Sequence, residues 1–332
     1  MNEQLNRAIG CLYGGAIGDA MGMPASFLTR KQIRDTYGYI EGFLEPDRRI
    51  QDVHTELGAG DITDDTYESL IVANVLIENN GFNEKAFCGL MKNWAVENDM
   101  LNSDMIGPST RGFLTALING TDPKEGSKLA DTNGSAMRVS PVGIFYWADR
   151  KTCIKEAAAS SIPSHGSAPA VAAACAVASA CAAGIRGNCE PEEIVAEAAK
   201  GAEYGEKIGF DIPAPSVYER ILLVKEIVES MTENSIDEKV DRLTKIIGAG
   251  MKSYESVPLS LGIFYAAKGE PSVGIPAAVN AGDDADTNGS ICGAICGAFS
   301  GIEAIPDIWV DRIQFGREDM DLQKVARDLI TR

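Results

Sequence analysis

The sequence predicts an all-α protein. Apolar residues return at three- and four-residue spacing along nearly the whole chain, and runs of alternating β-branched residues are almost absent. The periodic stretches begin at cap-forming residues and end at glycine. This spacing predicts helices over 3–20, 64–79, 84–98, 109–118, 136–148, 168–184, 191–207, 216–231, 236–249, 255–268, 272–280, 288–302 and 320–331. Asn83, Pro191 and Pro271 mark starts, where a capping side chain or a missing N–H suits the first turn; Gly81, Gly120, Gly184 and Gly269 mark stops. The 168–184 stretch is mostly alanine with Cys, Ser and Pro, too weakly hydrophobic and too short for a membrane span, and reads as a buried helix. In the 288–302 helix, Gly289, Gly293, Gly297 and Gly301 recur at four-residue intervals, a smooth ridge on which another helix can pack at backbone distance. That helix belongs at the centre.

The 332 residues, 45% of them apolar, can bury a substantial core. No Pro/Ser-rich linker, composition shift or low-complexity segment divides them, so a single domain over 1–332 is expected. The phrases Asp131-Thr132-Asn133-Gly134-Ser135 and Asp286-Thr287-Asn288-Gly289-Ser290 resemble each other, as do Gly143-Ile144-Phe145-Tyr146 and Gly262-Ile263-Phe264-Tyr265, but their order is reversed between the halves, which excludes a tandem repeat. Acidic residues outnumber basic ones by 48 to 30, a net charge of −18 that disfavours nucleic acid and anionic membranes. The eight cysteines sit in Ala/Gly-rich helical patterns with no zinc-type spacing and read as small core residues. No secretory signal is visible at the N-terminus, so a cytoplasmic location is expected.

Two acidic turns carry the chemistry. Asp283-Asp284-Ala285-Asp286-Thr287 opens the glycine-ridged helix, and Thr63-Asp64-Asp65-Thr66 opens the helix from 64; each follows a glycine. Clusters of carboxylate and hydroxyl oxygens suit hard cations, Mg²⁺, Mn²⁺ or Ca²⁺, and Asp-x-Asp lets two side chains of one turn share an ion. One such turn alone is better explained as a solvated turn or helix cap. Two together predict a binuclear site whose ligands are Thr63, Asp64, Asp65, Asp284, Asp286 and Thr287, with carboxylates balancing the charge of two Mg²⁺ or Mn²⁺ ions. Such a centre can hold ribose hydroxyls, polarise the bond to an anomeric carbon and acidify a water near neutral pH.

The pair Thr63-Asp64-Asp65 and Asp284-Ala285-Asp286-Thr287-Asn288 resembles the metal-ligand motifs of the ADP-ribosylglycohydrolases, including the dinitrogenase-reductase-activating branch. Similar marks follow in order: Gly14-Gly15-Ala16-Ile17-Gly18-Asp19-Ala20, Asp104-Met105-Ile106-Gly107, Asn133-Gly134-Ser135-Ala136-Met137-Arg138 and Ile305-Pro306-Asp307-Ile308-Trp309. The resemblance implies a compact orthogonal multi-helix bundle with the binuclear centre at one end. It implies a glycosidase that cleaves ADP-ribose from a modified protein side chain, arginine in the bacterial branch. A small ribosyl compound or nucleoside is the alternative substrate, and a non-enzymatic descendant that keeps only the fold is a third reading. No sequence feature fixes an oligomeric state.

The resemblance places Asp104 against the substrate, where a carboxylate can stabilise an oxocarbenium-like transition state and take a proton from water; its plain alternative is a turn or helix cap. Asp65 is assigned to both the metal set and the catalytic carboxylates. Asn133, Gly134 and Ser135, opening a helix with Met137, offer backbone N–H groups to a diphosphate, with Thr132 where a glycine is usual in the family. His165 matches a position lining the ribose side of the pocket, or else is a hydrogen-bonding group at a helix start. His54 is read as a surface group or one supporting the metal ligands from behind. Ser26 stands where many members carry a glutamate, and Asp19 is read as a structural brace.

Overall fold

The computed structural model describes residues 2–314 and 320–331. Its first half contains α1 (Glu3–Gly22), α2 (Arg30–Tyr37), α3 (Asp64–Asn79), α4 (Glu84–Glu97), α5 (Pro108–Asn119), α6 (Lys124–Ser127), α7 (Gly134–Met137), α8 (Ser140–Phe145) and α9 (Arg150–Ser161). The second contains α10 (Ala168–Arg186), α11 (Pro191–Ile208), α12 (Val217–Ser230), α13 (Ile236–Ile247), α14 (Ser253–Ala266), α15 (Pro271–Val279), α16 (Ala285–Ser300), α17 (Asp307–Arg312) and α18 (Leu322–Ile330). Among the described residues only isolated bridges interrupt this all-α architecture.

At its centre α1 and α16 run together along a seam of glycines. A Cβ built on Gly14 would lie 2.1 Å from the carbonyl oxygen of Gly293, and one on Gly18 would lie 2.0 Å from that of Gly289. The glycine ridge of α16 therefore meets a second ridge, Gly10, Gly14, Gly18 and Gly22, on α1, and the two backbones touch directly. Helix α10 packs beside this pair; at 19 residues it is, contrary to the expectation from its composition, long and apolar enough to cross a membrane, the one such helix among the described residues, and with 94% of its apolar stretch buried it is the core helix of the bundle. All eight cysteines are free, with Cys88 and Cys189 only partly buried.

The structure adds four helices that the sequence expectation lacks, α2, α6, α9 and α17, and divides one that it contains; α6 and α17, of four and six residues, are too short to show a helical period. Helix α2 has a single buried apolar residue, Ile33, and so no apolar period; its signal is the capping box between Thr29 and Gln32. Helix α9 buries only Cys153, alanines and serines, capped by Asp149, so its apolar face is too small to register. The helix expected over 136–148 is two short pieces, Gly134–Met137 and Ser140–Phe145, because Pro141 takes a first-turn position in the second piece and cannot continue the first. Within α14, Pro258 lacks the N–H that the Tyr254 carbonyl would otherwise receive, and the Arg220 guanidinium donates to that oxygen instead, at 2.8 Å.

Candidate metal centre and active site

The first acidic turn is fixed from behind by α1. Asp19, fully buried, accepts from the Thr63 N–H (3.0 Å), the Thr63 hydroxyl (2.8 Å), the Thr66 N–H (3.2 Å) and the Thr66 hydroxyl (2.5 Å). These donors satisfy orphan groups at the start of α3, for which Thr63 is the N-cap. Burial nevertheless pushes the Asp19 carboxyl up to about 6.

The second turn is held by backbone. Gly282 and Asp283 both adopt positive φ, and Asp283 pairs with the chain at Phe27 and Leu28. A Cβ at Gly282 would come within 2.5 Å of the Leu28 carbonyl oxygen, so this approach requires glycine. The Asp284 N–H donates to the Ala249 carbonyl, and Asn133 Nδ2 donates to Asp284 Oδ2 at 2.6 Å. Thr287 Oγ1 donates across to Asp65 Oδ1 at 3.4 Å, so the two turns meet although 222 residues separate these positions.

Asp64, Asp65, Asp284 and Asp286 thus line one cavity of about 170 Å³, and none is more than 6% exposed. Burial and mutual repulsion push Asp64 and Asp65 well above the usual carboxylate range and Asp284 up to about 8. Burial would raise Asp286 as well, but the imidazole of His54 beside it holds it below its ordinary value. Asp65 Oδ2 and Asp286 Oδ1 are buried and meet no donor. Among the described residues, no three His, Cys, Asp or Glu side chains are arranged around one point as ligands. Chemically, however, crowded carboxylates with orphan oxygens fit divalent cations, since uncompensated buried anions are costly and cations would satisfy them.

Asp104, Asn133, Gly134 and Met137 line the same cavity, as does Thr287. Asp104 is exposed at its mouth, where Oδ2 accepts long bonds from the Thr55 N–H (3.4 Å) and hydroxyl (3.3 Å); the cap of α5 is Gly107, not Asp104. Three expected residues are set back. Thr63 does not line the cavity, because its hydroxyl donates to Asp19 and accepts from the Asp65 N–H. Ser135 turns away, accepting from Ser161 and donating to the Ala170 carbonyl. His165 also falls behind the wall: fully buried, it lies 2.8 Å from Ser164 Oγ and 3.2 Å from Thr132 Oγ1, and burial pushes its pKa well below the ordinary value, leaving a neutral ring. The helix start expected to offer N–H groups to a diphosphate belongs to α7, which is four residues long and ends at Met137, and Asn133 and Gly134 at that start line the cavity.

Sequence reasoning undervalued His54. It is 4% exposed, lines the cavity, and places Nε2 3.1 Å from Asp286 Oδ2, close enough for charge to act but off the line of a hydrogen bond. Its pKa is raised: burial lowers it, and the surrounding carboxylates, Asp286 first, more than compensate. Only its position a few residues before the first acidic turn hinted at this. Behind the wall, Arg138 is buried with Glu68, donates to Ser164 Oγ, and lies 4.8 Å over the Phe87 ring, which fixes the segment carrying Asn133 and Met137.

The profile of the ADP-ribosylglycohydrolase family matches residues 1–332. The chain belongs to the ADP-ribosylglycohydrolase family. Family membership supports a glycosidase-type hydrolase. It is 32% identical over 301 residues to the uncharacterized protein YegU of Escherichia coli K12, covering 90% of this chain and 89% of that one. An ADP-ribosylarginine hydrolase, Tri1, of Pseudomonas putida GB-1 is 25% identical over 99% of this chain and 79% of its own length. A solved structure titled ADP-ribosylglycohydrolase-related protein complex superposes with a TM-score of 0.74 at 22% identity, covering 100% of this chain and 99% of that chain, a likeness of fold.

Proposed function

We propose that this ADP-ribosylglycohydrolase-family chain is a divalent-cation-dependent hydrolase that releases ADP-ribose from a modified arginine side chain. The observation that carries the reading is the convergence of Asp64, Asp65, Asp284 and Asp286, four buried carboxylates from two distant turns, on one cavity with His54 as the basic group against them. Two Mg²⁺ or Mn²⁺ ions held by these aspartates and Thr287 would bind ribose hydroxyls and polarise the glycosidic bond. The residues of the chain divide the remaining work. Asp104, at the mouth, takes a proton from the incoming water and faces the positive charge that develops at the anomeric carbon. Asn133 holds Asp284 in place, Met137 supplies apolar wall, and Asp19 keeps the α3 turn in register.

A small ribosyl substrate is the second reading, favoured by Thr132. Thr132 is 7% exposed and bonded to Ser109, and it lines both the reaction cavity and a neighbouring groove of about 390 Å³, so its side chain takes room that a glycine would leave to an adenosine diphosphate. Release of ADP-ribose from an ADP-ribosylarginine peptide, measured with Mg²⁺, with Mn²⁺ and with chelator, tests the first reading. Activity that survives chelation overturns the cation requirement, and turnover of a nucleoside but not of the peptide moves the assignment to the small substrate.

A further inference from the structure

Resting on the cation reading above, we propose that His54 is a nitrogen ligand in this centre, sharing an ion with Asp286 and turning the site's preference from Mg²⁺ towards Mn²⁺. The imidazole is almost wholly buried and faces the cavity, yet neither ring nitrogen makes a well-aligned hydrogen bond. A histidine present only to neutralise Asp286 would point an N–H along the line to the carboxylate. Here Nε2 and Asp286 Oδ2 lie side by side 3.1 Å apart. Neighbouring ligands about 2.2 Å from a common octahedral ion are about 3.1 Å apart, so the pair is spaced as an edge of such a shell. Ser26 Oγ, also buried and without a well-aligned hydrogen bond, stands beside the same carboxylate.

The position of His54 is built, not incidental. Its backbone sits at φ 53°, a conformation uncommon outside glycine and retained where surrounding structure enforces it. Arg48 enforces it from inside the loop: its guanidinium donates to the carbonyls of Val53, His54 and Leu57 and to the side chain of Gln51. Gln51 in turn donates to the Met23 carbonyl at 2.7 Å, tying the loop to the end of α1. Mg²⁺ favours oxygen donors, whereas Mn²⁺ and later first-row ions accept imidazole readily, so one nitrogen among oxygens tilts selectivity without excluding Mg²⁺.

The test is titration calorimetry of Mn²⁺ and Mg²⁺ into the metal-free full-length protein, its His54→Ala and its His54→Gln forms, with electron spin-echo modulation spectra of the Mn²⁺-loaded samples. We expect the unaltered protein to bind Mn²⁺ at least about tenfold more tightly than Mg²⁺ and to show ¹⁴N modulation. Both variants should lose the ¹⁴N signal and about tenfold in Mn²⁺ affinity while Mg²⁺ binding changes less. The glutamine form, close in size, keeps the loop filled if the alanine form folds poorly. Mn²⁺ binding without ¹⁴N modulation, or variants that bind Mn²⁺ as well or better, overturns the ligand assignment alone. Binding of neither ion by the unaltered protein overturns the cation reading with it.

Discussion

The two acidic turns look alike in sequence and are held in opposite ways. The α3 turn is clamped from behind: Asp19 takes two backbone and two hydroxyl donors, so the turn is rigid before its carboxylates meet anything. The α16 turn is fixed by its own left-handed backbone at Gly282 and Asp283, and its carboxylates are met from the front, Asp284 by Asn133 and Asp286 by His54. One turn is thus positioned by a buried anion outside the cavity lining, the other by groups that line the cavity itself. A turn of the first kind transmits structural damage; one of the second transmits changes in selectivity.

Four measurements break or sharpen that contrast. The largest effect is expected from Asp65→Asn and Asp284→Asn, one ligand from each turn: ADP-ribose release falls by more than about a hundredfold, beyond what loss of a supporting group causes, and the thermal shift produced by Mg²⁺ or Mn²⁺ disappears. Equal cation-induced shifts in both variants and the unaltered protein would remove the shared site. Next, Asp19→Ala should cost about 3 kcal/mol in denaturant unfolding, because buried N–H groups of Thr63 and Thr66 lose their acceptor, whereas Asn133→Ala should cost about half as much. Equal losses would erase the asymmetry between the turns.

A pH series in chelator comes third. Asp64 and Asp65 are raised well above the ordinary carboxylate value, Asp284 to about 8 and Asp19 to about 6, so the folded state binds more protons than the unfolded one. Stability of the metal-free protein should therefore fall as pH rises from about 4 towards about 8, by several degrees in melting temperature. The raised His54 pKa acts in the same direction at the upper end of that window, and the lowered His165 pKa opposes it below about 6.5, one group against several. Divalent cation should restore most at pH 8, where it replaces protons that the carboxylates have lost. A flat or rising profile in chelator would show that these carboxylates are not crowded in solution. The smallest effect is expected from Thr132→Ala, which removes the hydroxyl contacts to Ser109 and His165 and should cost about 1 kcal/mol. The same variant should tighten ADP-ribose binding by calorimetry if the Thr132 side chain takes room that the diphosphate needs.

The long helices were legible because each carries an apolar stripe and a terminator, and the glycine ridge of α16 announced a close partner without saying that α1 carries the matching ridge. The acidic turns were legible as chemistry because carboxylates cluster there by local sequence. What could not be read was anything set by a distant neighbour. His165 matched a pocket position along the chain, yet Thr132 and Ser164 draw it behind the wall. His54 has no motif, since its place beside Asp286 depends on Arg48 gripping a loop with no helical period. Asp19 was recognisable as a brace, but its partners, Thr63 and Thr66, emerge only when α1 lies against α3.

The glycine seam of α1 and α16 has one more consequence. Helix α1 carries Asp19, which sets the first turn, and α16 begins at the second. Their separation is gauged by peptide groups touching peptide groups, whose dimensions are the same whatever the sequence around them. Side-chain cores breathe and drift as their residues change volume; a backbone-to-backbone contact has nothing to exchange. The outer helices can therefore diversify in shape, charge and partners while the span between the two acidic turns stays fixed, a ruler buried where substitution cannot redraw its scale.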